Sequence, residues 1–596
     1  MIKSILQTKR LWVSLILILL GLYLLNQNQL VLTNLQYAQY TQTQTQIPLQ
    51  EFENLPHHGI SAPKTNIHYQ FNLHHTWQGT TNIRIIPDDC LSQIKVNNVP
   101  IPSNIFKGRP CDYTQGIQVD LVDYLQAGSN LFSIHIKNNG GKFGLRIEPL
   151  DSPTTPIAYG LIVIPLLLLL WSICKKLKLS PTIRLVLIAG ILLRVFYFQN
   201  TPPSSRAYDV DGHIKYIDFI SLENKIPAND DCWQCYHPAA YYSLTGLYAK
   251  PFLALTNFDK DSIYQSFTLL LDAAFLIFSL LFFRNILSSN YLLLASLLLV
   301  FWPSGIIHGA RIGNDHLVYL LFAATLYFLS KWKSNDKWPI ILATLMVCLS
   351  LFVKTNGIVA AFPLIAYYFI RTIYVNQSGI KKGLLGSSAI LLAILMALFI
   401  NLAPSIYQVY HGHKDQILVG NAGSLHRGLK VENKISNFLI IDTKDFIEVT
   451  FTDPWNDPGG RQYFWNYHFK TSLFGEFKHA RQSEPWAKTL KFLFGFSLLA
   501  MSIGLFHPST LKSSGPGIYL LSGLGLVIAA ILFRIKLPFS CATDFRYVYP
   551  LILTWIPLTL AGLRHMSLYS RWLQALPLVY VTIWALFSLA FTFSLL

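Results

Sequence analysis

The chain has 596 residues, of which 52% are hydrophobic, 14% aromatic and 13% charged, against about 25% charged in an ordinary soluble domain. This composition excludes a soluble globular protein, and apolar runs of roughly 16 to 22 residues are long enough to cross a hydrocarbon core about 30 Å thick. The formal charge of +17 would suit a nucleic-acid binder, but in a multispan chain basic residues first answer to the positive-inside rule, which leaves no call for nucleic acid.

Thirteen spans are predicted, near 11–26, 157–174, 182–198, 262–284, 290–307, 317–332, 338–353, 355–374, 384–402, 490–506, 517–534, 547–564 and 574–595. With Lys3, Lys9 and Arg10 cytoplasmic, alternation puts Lys175, Lys176, Lys178, Arg284, Lys331, Lys333, Arg371, Lys381, Lys382, Lys512, Arg564 and Arg571 on the inner side. Arg206, Lys215, Arg311, Lys354, Arg534, Lys536 and Arg546 fall at the outer face instead, where orientation does not ask for them. They imply an anionic partner there.

Residues 1–30 hold the first span, and 31–64, which include "QYAQYTQTQTQIPLQ", lack a helical period and read as a polar tether. From 65 to 155, alternating segments such as "IHYQFNL" and "LFSIHIK", separated by "GSN" and "NNGGK" turns, predict an extracytoplasmic β-sandwich. Its stretch "VDYLQAGSNLFSIHIKNNGGKFGL" resembles the last strands of jelly-roll, galactose-binding-like modules. Bracing of the membrane part and carbohydrate binding are both open for it. Residues 156–181 give a second span and a cytoplasmic turn, and 182–596 a transmembrane domain with two long outer insertions, 199–261 and 403–489.

Four of the seven cysteines, Cys90, Cys111, Cys232 and Cys235, fall outside, where disulfides are permitted. Cys90 with Cys111 spans a turn-rich stretch. "CWQC" at 232–235 has no second cysteine pair for zinc and no thioredoxin-like surroundings, so a local disulfide is expected.

The first insertion opens with "RAYDVDGHIKYIDFI". Ile214, Ile217 and Ile220 recur at three-residue spacing and predict a short interfacial helix, with Asp209 and Asp211 at its N-terminal end. A carboxylate near apolar surroundings suits proton abstraction from a hydroxyl nucleophile. Arg546, Arg311, Lys354 and His237 are candidate phosphate contacts, the guanidinium groups by bidentate geometry. His213, His316, Tyr236 and Glu476 are candidate substrate contacts in the same segments, and Asp209 and Asp211 have the chemistry to hold a divalent cation as well as to act alone.

The acidic "YDVDGH", then "CYHPAAYY", "ARIGNDHL" and "DFRYVYP", in this order and on one side, resemble the GT-C superfamily of membrane glycosyltransferases over residues 182–596. Within it they look most like bacterial members of the dolichyl-phosphate-mannose-protein mannosyltransferase (family 39) group. The resemblance implies a polytopic α-helical fold and transfer from a polyprenyl-phosphate sugar donor. It makes Asp209 or Asp211 the base and Asp315 the second acid; many members carry adjacent Asp and Glu where this chain has Asp-Val-Asp, so either aspartate fits. A protein, glycan or glycolipid acceptor and a site on the periplasmic face of a bacterial inner membrane follow as expectations. An oligosaccharide ligase or polymerase on the same face, or a multispan transporter, are the alternatives; a transporter would place its charges near mid-membrane.

Overall fold

The computed structural model describes residues 2–27, 31–40, 48–52, 55, 57–60, 65–75, 81–112, 116–138, 142–150, 155–201, 209–228, 231–256, 258–333, 336–377, 379–411, 427–455, 460–507 and 516–596. Arg206 lies outside them. The chain divides into two compact units, Met1–Leu177 with Phe252–Asp259, and Lys178–Pro251 with Lys260–Leu596.

The first unit contains helices α1 (Ile2–Gln27) and α2 (Thr155–Lys176) and eleven strands between them: β1 Val31–Tyr40, β2 Gln50–Glu51, β3 His57–Ile60, β4 Asn66–His75, β5 Asn82–Pro87, β6 Cys90–Val96, β7 Val99–Pro100, β8 Lys107–Gly108, β9 Ile117–Asp120, β10 Gly128–Lys137 and β11 Lys142–Pro149. They form two antiparallel sheets, ordered β2-β1-β4-β10-β6-β7 and β3-β11-β5-β9-β8. Strict alternation along β4 sends Ile67, Tyr69, Phe71 and Leu73 into a core shared with Ile83 and Ile85 of β5 and Phe132 and Ile134 of β10, which makes a sandwich. Cys90 and Cys111 are disulfide-bonded.

The expected tether is corrected over 31–40, which is a full strand paired with β4 from Val31↔His74 to Tyr40↔Asn66. A register shift between Thr33 and Gln36 breaks the period-two pattern, so Leu32, Leu35 and Tyr37 reach the core without alternating in the sequence.

On the other face of that sheet, His68 and His135 are directly paired and stack with ring centroids 4.3 Å apart. Burial, with the neighbouring His68 and Lys95, pushes His135 down to about 4. The native state therefore keeps His135 neutral while the unfolded chain binds a proton near the ordinary value of about 6.5. Stability from this pair is complete above that value and is lost as pH falls towards 4, so the protection factors of the β4 and β10 amides in the intact protein, that is, their exchange rates relative to the intrinsic rate at each pH, should fall over that window, and His135→Gln should flatten the response. Protection factors unchanged from pH 7 to 4.5 would count against it.

The second unit is helical: α3 Pro181–Gln199, α4 Val210–Ser221, α5 Ala240–Leu255, α6 Lys260–Ile286, α7 Ser289–Val300, α8 Pro303–Gly309, α9 Asp315–Lys331, α10 Trp338–Leu351, α11 Ala361–Ile370 and α12 Ile380–Tyr410. After them come α13 Ile435–Leu439, α14 Thr443–Glu448, α15 Phe464–Phe474, α16 Glu484–Phe506, α17 Pro516–Lys536, α18 Ile552–Ser567 and α19 Leu576–Ser594. The protein is thus a polytopic α-helical membrane chain with an N-terminal antiparallel β-domain.

Eight helices among the described residues are long and apolar enough to span, or nine if α7 and α8, bent by 54°, count as one. The expected thirteen included four more: one on α1, whose apolar part is Trp12–Asn26, and those on α9, α10 and α18, helices of 17, 14 and 16 residues. At 1.5 Å per residue these last three reach only about 21 to 26 Å, short of the hydrocarbon thickness. Every residue of α18 from Ile552 to Leu563 is buried, so protein rather than lipid covers it. Gly504 and Gly562 let α16 and α18 close on each other, because a Cβ at either would strike the facing backbone at Leu558 or Ala500.

Candidate functional site

The expected interfacial helix is α4, with Ile217 and Ile220 buried. Asp209 is its N-cap, at φ +67. An N-cap aspartate ordinarily gives its carboxylate to the first-turn N–H groups. Here the side chain makes no such bond. Its Oδ1 accepts from the Trp233 indole Nε1–H at 3.3 Å, and its Oδ2 lies 3.5 Å from Arg546 Nη2, with 30% of the side chain exposed. Burial would raise its pKa, but Arg546 and then Arg311 outweigh that and hold it below the usual carboxylate range. Asp209 is therefore an ionised, partly open carboxylate that capping has not consumed.

Arg546 comes from the turn between α17 and α18. Asp544 starts that turn, its Oδ1 accepting from the Arg546 backbone N–H at 3.1 Å while its Oδ2 sits 3.3 Å from the guanidinium Nε. Arg546 also donates to the Tyr547 hydroxyl at 2.9 Å and lies 4.9 Å from that ring's centroid. The same ring has Lys354 Nζ 5.2 Å from its centroid, so Tyr547 joins two cations from separate segments. Lys354, between α10 and α11, donates to Asp315 Oδ1 at 2.5 Å. Although burial opposes it, Lys354 holds the Asp315 carboxyl well below the usual range. Arg311 is buried beside Phe477, 5.8 Å from its centroid, and acts electrostatically on Asp209, Asp315 and Asp544.

Glu476 is buried and accepts from the Tyr467 hydroxyl. Burial and then the charge of Asp544 push it up to about 7, a value at which a carboxyl both gives and takes protons near neutrality. His213 stacks with His237 at 6.3 Å and shares a hydrogen bond of 2.9 Å with Tyr242. Burial keeps both imidazoles neutral, lowering His213 against the pull of Asp209. Tyr236 lies against His237, ring centroids 4.2 Å apart.

Asp209, Asp315, Arg546, Arg311, Lys354, His213, His237, Tyr236 and Glu476 are thus brought into one electrostatic neighbourhood. Asp211 is not, and His316, although in the field of Asp315 and Arg311, directs its ring elsewhere. Asp211 is exposed on α4 and makes no ion pair with any described residue, because the helix turns it away from Asp209. His316 turns into the protein, 4.0 Å from Asp272, which Arg194 holds at 2.5 Å. Arg534, counted among the outer cations, is buried and donates to Asn433 Oδ1 at 2.8 Å, so its charge serves a loop anchor. Asp544, Tyr547 and Trp233 were not singled out as site residues; the one available signal was that Asp544 and Tyr547 belong to "DFRYVYP". Cys232 and Cys235 are bonded beside Trp233. Among the described residues no three His, Cys, Asp or Glu side chains are grouped to hold a metal, and Asp209 already faces a guanidinium and an indole N–H.

No protein-family model matches the chain, and comparison with curated proteins gives no match. Among solved structures it is similar to the archaeal oligosaccharyltransferase AglB from Archaeoglobus fulgidus, in complex with an inhibitory peptide and a dolichol-phosphate, at 13% identity over 69% of this chain and 55% of that one, with a TM-score of 0.40. It is similar to ArnT from Cupriavidus metallidurans at 10% identity, over 59% of this chain and 71% of that one, TM-score 0.28. To arabinosyltransferase EmbB from Mycobacterium smegmatis the identity is 14%, over 98% and 64% of the two chains, TM-score 0.24. The chain spans about half the length of the oligosaccharyltransferase. Similarity at these scores carries no argument about what the chain does.

Proposed function

We propose that the chain is a membrane glycosyltransferase that moves a sugar from a polyprenyl-phosphate-linked donor to an extracytoplasmic acceptor hydroxyl, with Asp209 as the general base. The observation that carries this reading is the uncapped Asp209 carboxylate held 3.5 Å from Arg546, with Lys354 and Arg311 supplied by two other inter-helix turns. The resemblance of "YDVDGH", "ARIGNDHL" and "DFRYVYP" to GT-C motifs supports it as well.

The chemistry follows from the charges. The donor phosphate engages Arg546, Lys354 and Arg311, which stabilise the negative charge that grows as the anomeric carbon–oxygen bond breaks and its electron pair passes to the phosphate. The acceptor oxygen forms the new bond to that carbon, and its proton passes to Asp209. Phosphate on Arg546 competes with Asp209 for the guanidinium, so donor binding itself frees the carboxylate and raises its basicity. The site belongs to the periplasmic face of a bacterial inner membrane, with a protein, glycan or glycolipid acceptor.

The test is transfer in proteoliposomes supplied with radiolabelled polyprenyl-phosphate sugar and envelope acceptor fractions, alongside mass spectrometry of surface glycans with and without the protein. Label should leave the lipid fraction only with active protein. Label that stays on the lipid, together with an unchanged glycan profile, would sink the reading.

A further inference from the structure

We propose that Trp233, clamped between Cys232 and Cys235, is the positioning residue for the Asp209 carboxylate, so that transfer depends on this disulfide-closed loop. The inference rests on Asp209 being the base.

Trp233 is 41% exposed, which forfeits much of what a tryptophan gains by burial. Its neighbours in the loop do the opposite, Gln234 and Cys235 both being 2% exposed. The loop is tied by the Cys232–Cys235 bond, by Cys235 N–H to the Cys232 carbonyl at 3.1 Å and by His237 N–H to the Gln234 carbonyl at 3.1 Å. It also sits directly on the first turn of α4: a Cβ at Gly212 would come within 2.8 Å of Gln234 Cγ and 3.1 Å of Trp233 Cβ. Glycine at 212 is thus what lets the loop approach closely enough for the indole Nε1–H to reach Asp209 Oδ1 at 3.3 Å.

The two carboxylate oxygens then have different partners, a neutral donor on Oδ1 and Arg546 on Oδ2. When the donor phosphate takes over Arg546, Oδ2 is freed to receive the acceptor's proton, and the indole still fixes the direction in which it points. An indole N–H is a donor only and carries no charge. It therefore orients the carboxylate while lowering its basicity less than a second cation would.

The decisive variant is Trp233→Phe, which keeps the ring and deletes the N–H. Loss of one hydrogen bond to a charged group should lower kcat about tenfold, with donor affinity unchanged. The acidic limb of the kcat profile should move to higher pH, since the lost bond favoured the ionised form. The other groups that face Asp209 are Arg546, Arg311 and His213, with Tyr236, Tyr547 and Cys541 also in its field, and none of them is altered. Trp233→His, which restores a ring N–H, should recover part of kcat. The double variant Cys232→Ser/Cys235→Ser, with Cys90–Cys111 intact, should lose kcat in the same way and add little to Trp233→Phe.

Parent kcat and pH profile in Trp233→Phe, with Asp209→Asn inactive, would overturn this inference and leave the general-base reading standing. Parent turnover in Asp209→Asn as well would overturn both. A fall in donor affinity alone would make Trp233 a lipid or donor contact and overturn the positioning role.

Discussion

Asp209→Asn should lower turnover by about a hundredfold to ten-thousandfold, the range over which a positioned general base acts, while donor affinity stays the same or rises. The amide keeps the size of the side chain and can still accept from the Trp233 indole through its carbonyl oxygen. What it loses is the ability to take a proton and the negative charge that competes with phosphate for Arg546. Asp211→Asn, by contrast, should turn over near the parent rate, because that side chain is exposed and outside the cluster. Single-turnover rates and donor binding measured on both purified variants check the pair of expectations. Parent turnover in Asp209→Asn would leave the carboxylate as a helix-end residue with no part in the chemistry.

Arg546→Ala should all but remove donor binding. Truncating one member of a buried charge pair costs about 2 to 5 kcal/mol, which corresponds to roughly thirtyfold to several thousandfold in affinity. Part of that loss is the penalty of leaving Asp544 and Asp209 without the guanidinium they share. Arg546→Lys should restore affinity only in part, since an ammonium supplies one compact charge where a guanidinium supplies a planar fork. The sign of the pH effect is determined by the same contacts. Arg546 is the main influence holding Asp209 below the usual carboxylate range against burial, so its removal should move the acidic limb of any residual activity upward. Thermal unfolding in detergent separates this from misfolding. Unchanged donor affinity in folded Arg546→Ala protein would remove Arg546 from the site.

The acidic stretch, the short helix after it and the cations at helix ends were legible because each depends on near neighbours in the chain. Ile214, Ile217 and Ile220 repeat at helical spacing, and α4 forms where they predict it. Strand β4 was equally legible, since every second residue enters the core. Strand β1 was not. Its Gln and Thr content and the register shift after Thr33 hide the alternation, and only pairing with β4 makes it a strand. Hydropathy alone predicts spans on α9, α10 and α18 as well, because it reports how apolar a helix is and not how long it is or, as for the buried α18, whether protein surrounds it.

Between Asp209 and Asp211 the sequence favours Asp209 only slightly, because it lies closer to the preceding span, where partial desolvation would raise its basicity. Both are two residues apart in one polar stretch, and the choice depends on where α4 begins and which way its first turn faces. The fold brings Trp233 and Arg546 to Asp209 and leaves Asp211 exposed, which is why the proposal gives the role of base to Asp209. It also recruited Asp544 and Tyr547, whose roles exist only because the α17–α18 turn meets Lys354 and Asp209 across the fold. Composition, hydropathy and local period therefore determined a polytopic chain with a β-domain and an acid at a helix end, since those properties are summed over neighbouring residues. The pairing of each carboxylate with its cation belonged to the tertiary structure alone, because charges distant in sequence interact strongly only when the fold places them within a few ångströms and away from water.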